Sequence, residues 1–274
     1  MDKVYIQTFS IRDVLEKDFV GSIEKLAKIG YAGVEFAGQY GGLNAKDMKK
    51  LLDDNGLDCI SAHIGFQQTE EYIDYMAEVG ARYIICPSAR VNDYETAMAA
   101  VDELNRLGAV CKKAGLKYGY HNHTGEFRTH GDKYLEDILI ENTDPDTVVF
   151  QLDVGWCTTA GVNAVDYINR HAGRFEMVHA KEAGKVVGTE EPVDFSKVKF
   201  GPDKRPIFTP EMIAAMEERQ RMNVPTGKGI IDWALVKKTA DAQGAKAYVV
   251  EREWDYAGDI MQCVKEDWEY LSRI

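Results

Sequence analysis

The stretch Lys28–Phe36 reads KIGYAGVEF: the end of an amphipathic helical pattern, a glycine, a short link, then an apolar run. Glycine after a helix is the expected C-terminal cap, because without a Cβ it takes the left-handed conformation at little cost. The same signature returns at DNGLDCISAH (54–63), EVGARYIICP (78–87), KAGLKYGYH (113–121), HAGRFEMVHAK (171–181) and AQGAKAYVVE (242–251). Its glycines are Gly30, Gly56, Gly80, Gly115, Gly173 and Gly244. The runs behind them are short and almost continuously apolar, as strands covered on both faces should be. Two further runs complete the set. VYIQTF (4–9) stands at the start, and TVVFQLD (147–153) follows the turn signal NTDPD. Amphipathic stretches such as SIEKLAKI, AKDMKKLLDD and AAVDELNRLGAVCKK fill the intervals.

Strands alternating with helices imply parallel βαβ units, and eight such units can close as a (β/α)8 TIM barrel. A doubly wound open sheet is the competitor. The strand count favours the barrel, as does the lack of a Gly-rich phosphate loop after the first strand. With 274 residues and 45% hydrophobic side chains, the chain suits a single α/β barrel domain spanning 1–274. One unit is longer than the rest. The insertion 182–229 follows the seventh strand and carries Pro192, Pro202, Pro206, Pro210 and Pro225, with a short helical pattern PEMIAAMEERQRM inside it. Loops of that length are usually lids or contacts, so it is expected to cover the barrel mouth or meet a partner subunit in a homo-oligomer.

Composition excludes several partners. The net charge of −12 disfavours nucleic acid, which is gripped by clustered Lys and Arg. No apolar run approaches the ~20 residues that span a bilayer. The N-terminal MDKVYIQTFSIRD lacks the basic-then-apolar layout of a signal peptide, which points to a cytoplasmic protein. Cys59, Cys86, Cys111, Cys157 and Cys263 show no C-x-x-C spacing and read as packed, reduced thiols.

In such a barrel the reactive groups sit at the C-terminal ends of the strands. Strand three ends in His63, strand five in His121 and His123, strand six in Asp153, strand seven in His179 and strand eight in Glu251. Alternation along a strand turns His121 and His123 the same way and Asn122 the other. His130 and His171 fall in helix or loop context and read as structural. Taken singly, a strand-end His is more often a hydrogen-bonded structural group, and an Asp after a strand is often a helix cap. Together, these ionisable positions converge on one mouth, and burying them uncompensated would be costly. One divalent cation is the simplest compensation; carboxylates mixed with imidazole suit Mn²⁺, Co²⁺, Zn²⁺ or Mg²⁺.

The motifs GYAGVEFAG, HNHTGEF, LDVGW, HAKE, GKGIIDW and VVERE, in this order and at these strand ends, resemble the xylose isomerase-like barrel superfamily of sugar isomerases and epimerases. The resemblance implies one divalent metal held by Asp153, His179 and Glu251. The superfamily's usual strand-five Glu aligns here with His121, so either His121 coordinates or Glu126 folds back to do so. His121 is expected as the fourth ligand, with Glu126 on the substrate. Trp156 replaces a common substrate-contacting His and could offer a stacking face or simply fill core. His63, Lys181 and Glu253 are expected at substrate hydroxyls. The implied reaction is isomerisation or epimerisation of a ketose or related polyol through an enediolate, with His123 or Glu126 as base. The alternative on the same site is a dehydratase or lyase of a keto-inositol or 3-keto-glycoside. An abasic-site endonuclease would need a richer ligand set, and a non-catalytic accessory subunit would not need Asp153, His179 and Glu251.

Overall fold

The structure, a computed structural model, describes residues 4–189, 199–200, 206–207, 209–210, 212–214, 224–253 and 258–274. Eight strands form a closed parallel barrel: β1 Val4–Gln7, β2 Gly33–Ala37, β3 Asp58–His63, β4 Tyr83–Cys86, β5 Lys117–His121, β6 Val148–Asp153, β7 Phe175–Ala180 and β8 Ala247–Val250. Neighbours follow chain order, and β8 closes on β1 through pairs such as Tyr5↔Val249. This is the (β/α)8 architecture expected from the repeated helix–glycine–strand unit. All six capping glycines have positive φ; at Gly30, φ is 114° and the amide donates to Leu26 and Ala27 carbonyls, closing the helix Phe19–Ile29.

Period-two alternation divides the apolar residues between two cores. Tyr5, Ile60, Tyr83, Ile85, Val149, Met177, Ala247 and Val249 fill the inside of the barrel. Their neighbours, such as Ile6, Val34, Tyr120, Phe150 and Val250, pack outward under the helices. Continuing the inward parity toward the C-terminal ends gives Gln7, His121, Gln151, Asp153 and His179, so the polar site stacks on the apolar plug. A register shift between Val34 and Glu35 sets Glu35 opposite Ser61 on β3.

At the other end of the barrel, Glu176 ties three strands together. It accepts from Lys117 Nζ at 2.5 Å, Lys246 Nζ at 2.8 Å and Tyr83 Oη at 2.8 Å. Burial pushes its pKa up, but the two ammonium groups and the phenol outweigh burial and leave it below the usual carboxylate value. A depressed folded-state pKa stabilises above the unfolded-state value and is lost as pH falls through the folded one. Stability should therefore drop as pH falls from about 5 toward 3. Urea melts of Glu176→Gln should show a smaller drop over that window than wild type; equal slopes would remove Glu176 from the acid response.

The insertion leaves the barrel after β7, and its described ends are pinned. Val187 and Gly188 amides both donate to the Thr159 carbonyl at 2.9 Å. The buried Glu182 carboxylate clasps start and return together, accepting from Ala183, Gly227 and Ile231 amides and from Trp233 Nε1 at 2.8 Å. Lys199–Phe200 pairs antiparallel with Pro206–Ile207. The expected cover over the mouth, and most of the PEMIAAMEERQRM helix, lie outside the described residues. No helix among the described residues is long and apolar enough to cross a membrane.

Candidate metal centre and active site

Asp153 ends β6 and also begins the helix Val154–Thr159. Its Oδ1 accepts from the Trp156 amide at 2.7 Å, capping that helix, and its Oδ2 lies 3.3 Å from His179 Nδ1. The cap reading and the cluster reading are both met by one carboxylate. Glu251 directly follows β8; its Oε2 is 3.4 Å from His179 Nδ1. Donor atoms of Asp153, His179 and Glu251 all lie within 4.8 Å of one another, and so do nitrogens of His63, His121 and His179. His121 stands with Nε2 3.9 Å from Asp153 Oδ2. Asn122, facing away, bridges to the backbone of Asp153 on β6, which fixes the two strand ends in register.

Lys181 is buried and lies between two carboxylates, 3.1 Å from Glu251 Oε2 and 2.6 Å from Glu253 Oε1. Its ammonium sits 4.4 Å from the Trp156 ring centroid, so Lys181 covers a Trp156 face. Trp156 is itself buried, with the His123 ring 6.0 Å away. A cavity of about 360 Å³ opens over this group, lined by Gln7, Phe9, His63, His121, His123 and Glu253 among others. That volume falls within the usual range of roughly 300–1,000 Å³ for small-molecule clefts.

Glu126 goes elsewhere. Its Oε1 accepts from Tyr120 Oη at 2.7 Å and its Oε2 from the His123 amide at 2.9 Å. Tyr120 belongs to the helix-side core, so the carboxylate is drawn behind β5 while it holds the backbone of His123 in place. Burial raises the Glu126 pKa, and those hydrogen bonds only partly offset the rise.

The electrostatics follow from crowding. Burial pushes the His121 pKa down, and neighbouring His179, His63 and His123 push it further, so the ring stays neutral. At His179 burial pulls the same way, but hydrogen bonds to Asp153, Glu251 and Glu35 prevail and hold it well above the ordinary value. Burial raises Asp153, with His179 and Lys181 pulling back. Glu251 also suffers burial, yet Lys181 and His179 keep it well below the usual range.

Over residues 23–274 the sequence matches the family described as Xylose isomerase-like TIM barrel. The chain belongs to that family. An inosose dehydratase of Geobacillus thermodenitrificans is 29% identical, the match covering 88% of this chain and 84% of the relative. A sugar phosphate isomerase/epimerase from Parabacteroides distasonis superposes with a TM-score of 0.73 at 25% identity, covering 98% of this chain and 93% of its own. The IOLI protein, solved with a bound zinc atom, shares the fold with a TM-score of 0.72 at 13% identity, covering 99% and 98%.

The donor set could hold a divalent ion. Buried Glu35 and Asp153 and partly exposed Glu251 surround His179, and Lys181 is the ammonium paired with Glu251 and Glu253. A dication would offset excess negative charge, and imidazole with carboxylate is a donor mix such an ion accepts. Three inward residues of this layer were not singled out from the sequence: Gln7, Glu35 and Gln151. Each lies two residues, or one strand, from a group that was. A charged residue within the apolar run GVEFA was the available signal for Glu35.

Proposed function

We propose that this chain is a metal-dependent dehydratase acting on a cyclic keto-polyol of the inosose class. The reading rests on the inosose dehydratases that align with 88% of the chain. The site supports it. Asp153, His179, Glu251 and His121 would hold the ion, which when bound supplies Lewis-acid polarisation of the substrate carbonyl. His123 lines the cavity and would take the proton α to that carbonyl. The electron pair left by the C–H bond then expels the β-hydroxyl, and the imidazolium returns the proton to it, so that water leaves. Lys181, held protonated between Glu251 and Glu253, would steady Glu253, which lines the cavity and would orient hydroxyls, with burial opposed by those two carboxylates. His63 and Phe9 add a polar and an apolar wall.

A proton-shuttling epimerase must return the proton to the opposite face and so needs a second base, whereas a syn elimination needs one. With Glu126 drawn behind β5, elimination asks less of this site. The isomerase or epimerase reading keeps the support of the Parabacteroides distasonis structure. Manganese- or zinc-loaded protein incubated with a keto-inositol in deuterated water separates them. Mass spectrometry should show loss of one water. Conversion to a product of unchanged formula would favour isomerisation, and turnover with every carbon–hydrogen bond intact would sink both.

A further inference from the structure

Glu35 stands one layer below the candidate ligands, fully buried on β2. Its Oε2 accepts from Ser61 Oγ at 2.6 Å and from Gln151 Nε2 at 2.7 Å. Its Oε1 accepts from Gln7 Nε2 at 3.0 Å and lies 3.1 Å from both His63 Nε2 and His179 Nε2. Two amide nitrogens and a hydroxyl already donate to it, so both Glu35 oxygens act as acceptors. His179 must therefore place a hydrogen on Nε2, and its Nδ1 is the nitrogen turned toward Asp153 and Glu251.

The same carboxylate orients the Gln151 amide. Were that amide flipped, its oxygen would meet the Glu35 oxygen at 2.7 Å, two acceptors in contact. With Nε2 donating to Glu35, the Gln151 Oε1 faces the other way, 2.9 Å from His121 Nδ1 and 2.9 Å from His63 Nε2. Both nitrogens must donate. His121 is left with a lone pair on Nε2, the atom on the Asp153 side. His63 Nε2, 3.1 Å from Glu35 Oε1 as well, is committed as a donor, while the Gln7 amide nitrogen lies over the ring, 2.9 Å from Nδ1 and 3.3 Å from Nε2. The 3.3 Å approach of Gln7 Nε2 to His179 Nε2 is then a contact of two donors rather than a bond.

We propose that Glu35 and Gln151 are the positioning residues of the metal centre. Through them His179 ligates by Nδ1 and His121 by Nε2, while His63, although within reach, is a support and not a ligand. The inference rests on the reading that Asp153, His179, Glu251 and His121 hold the ion. Partners of this kind set which nitrogen a histidine presents, and removing one commonly costs about 10–100-fold in metal affinity.

The direct test uses wild-type protein labelled with ¹⁵N-histidine and loaded with zinc, read by long-range proton–nitrogen correlation. The expected pattern is hydrogen on Nε2 and zinc on Nδ1 of His179, the reverse on His121, and an unligated His63 with hydrogen on Nε2. Zinc on His63, or on the opposite nitrogen of either ligand, overturns the proposal. If zinc shifts none of the three rings, the metal reading itself falls. The relay is then judged on the zinc-free protein, where His121 hydrogen on Nδ1 upholds the Gln151 arm and hydrogen on Nε2 overturns it. Glu35→Gln should lose about 10–100-fold in zinc affinity, with partial recovery in Glu35→Asp; affinity unchanged in a folded Glu35→Gln overturns the proposal as well.

Discussion

Replacing His123 with alanine is expected to lower kcat by about 10²–10⁴-fold, the usual contribution of a positioned general base. Zinc or manganese stoichiometry should stay as in wild type, because His123 belongs to neither group of converging donor atoms. The expectation comes from placement. His123 lines the cavity, its ring 5.1 Å from that of His121, and its backbone amide is held by Glu126. Proton exchange into substrate from deuterated water should fall with kcat, since both depend on the same C–H cleavage. Glu126→Gln should act differently. The amide still accepts one hydrogen bond but cannot serve both Tyr120 and the His123 amide equally. A smaller loss is expected, carried by displacement of the His123 loop. Should Glu126→Gln lose the larger factor while His123→Ala keeps activity within about tenfold, the base is Glu126 and the loop must turn inward when substrate binds.

The barrel was legible because two periods of the sequence agree. Glycines such as Gly30 and Gly80 punctuate the helices, and the strands behind them are apolar on both parities, which only a sheet covered on both sides tolerates. The outermost inward positions were legible as well, since the C-terminal end of a barrel strand faces the mouth. Gln7, Glu35 and Gln151 were harder to see. A polar residue one layer down is a single interruption of an apolar run, and its partners come from strands far apart in sequence: Gln151 and Glu35 are 116 residues apart. The destination of Glu126 was not readable from its motif. Whether a loop carboxylate turns into the cavity is decided by Tyr120, whose hydroxyl reaches it from the helix side. Nor could the residues distinguish dehydration from isomerisation, because the α-proton step is common to both and the leaving group belongs to the substrate.

Asp267→Ala is expected to destabilise the fold by about 3–5 kcal/mol, the typical loss when one partner of a buried ion pair is removed. Arg252 follows Glu251 at the end of β8 and is only 3% exposed; Asp267, on the helix Ile260–Leu271, is 1% exposed. The guanidinium donates through Nε to Oδ2 at 2.7 Å and through Nη2 to Oδ1 at 2.8 Å, a bidentate pair. Asp267 Oδ1 also takes the Thr226 amide at 3.0 Å, where the insertion returns to the barrel. Burial lowers the Arg252 pKa, but Asp267 more than restores it, so the guanidinium stays charged. Alanine at 267 would leave a buried guanidinium and a buried amide without that carboxylate. The midpoint of thermal unfolding should fall by on the order of 10 °C. Replacing both partners, Arg252→Met with Asp267→Leu, should recover most of the loss, since a well-packed apolar pair carries no desolvated charge. The same change bears on the site. Arg252 is anchored at both ends, by Asp267 and by its amide donating to Ser10 Oγ at 2.9 Å, and that anchor sets the backbone from which Glu251 projects toward His179. Metal affinity should therefore fall together with stability in the single mutant and return in the double one. A single mutant within about 0.5 kcal/mol of wild type would show that the pair is a surface-like contact and that Glu251 is held by other means.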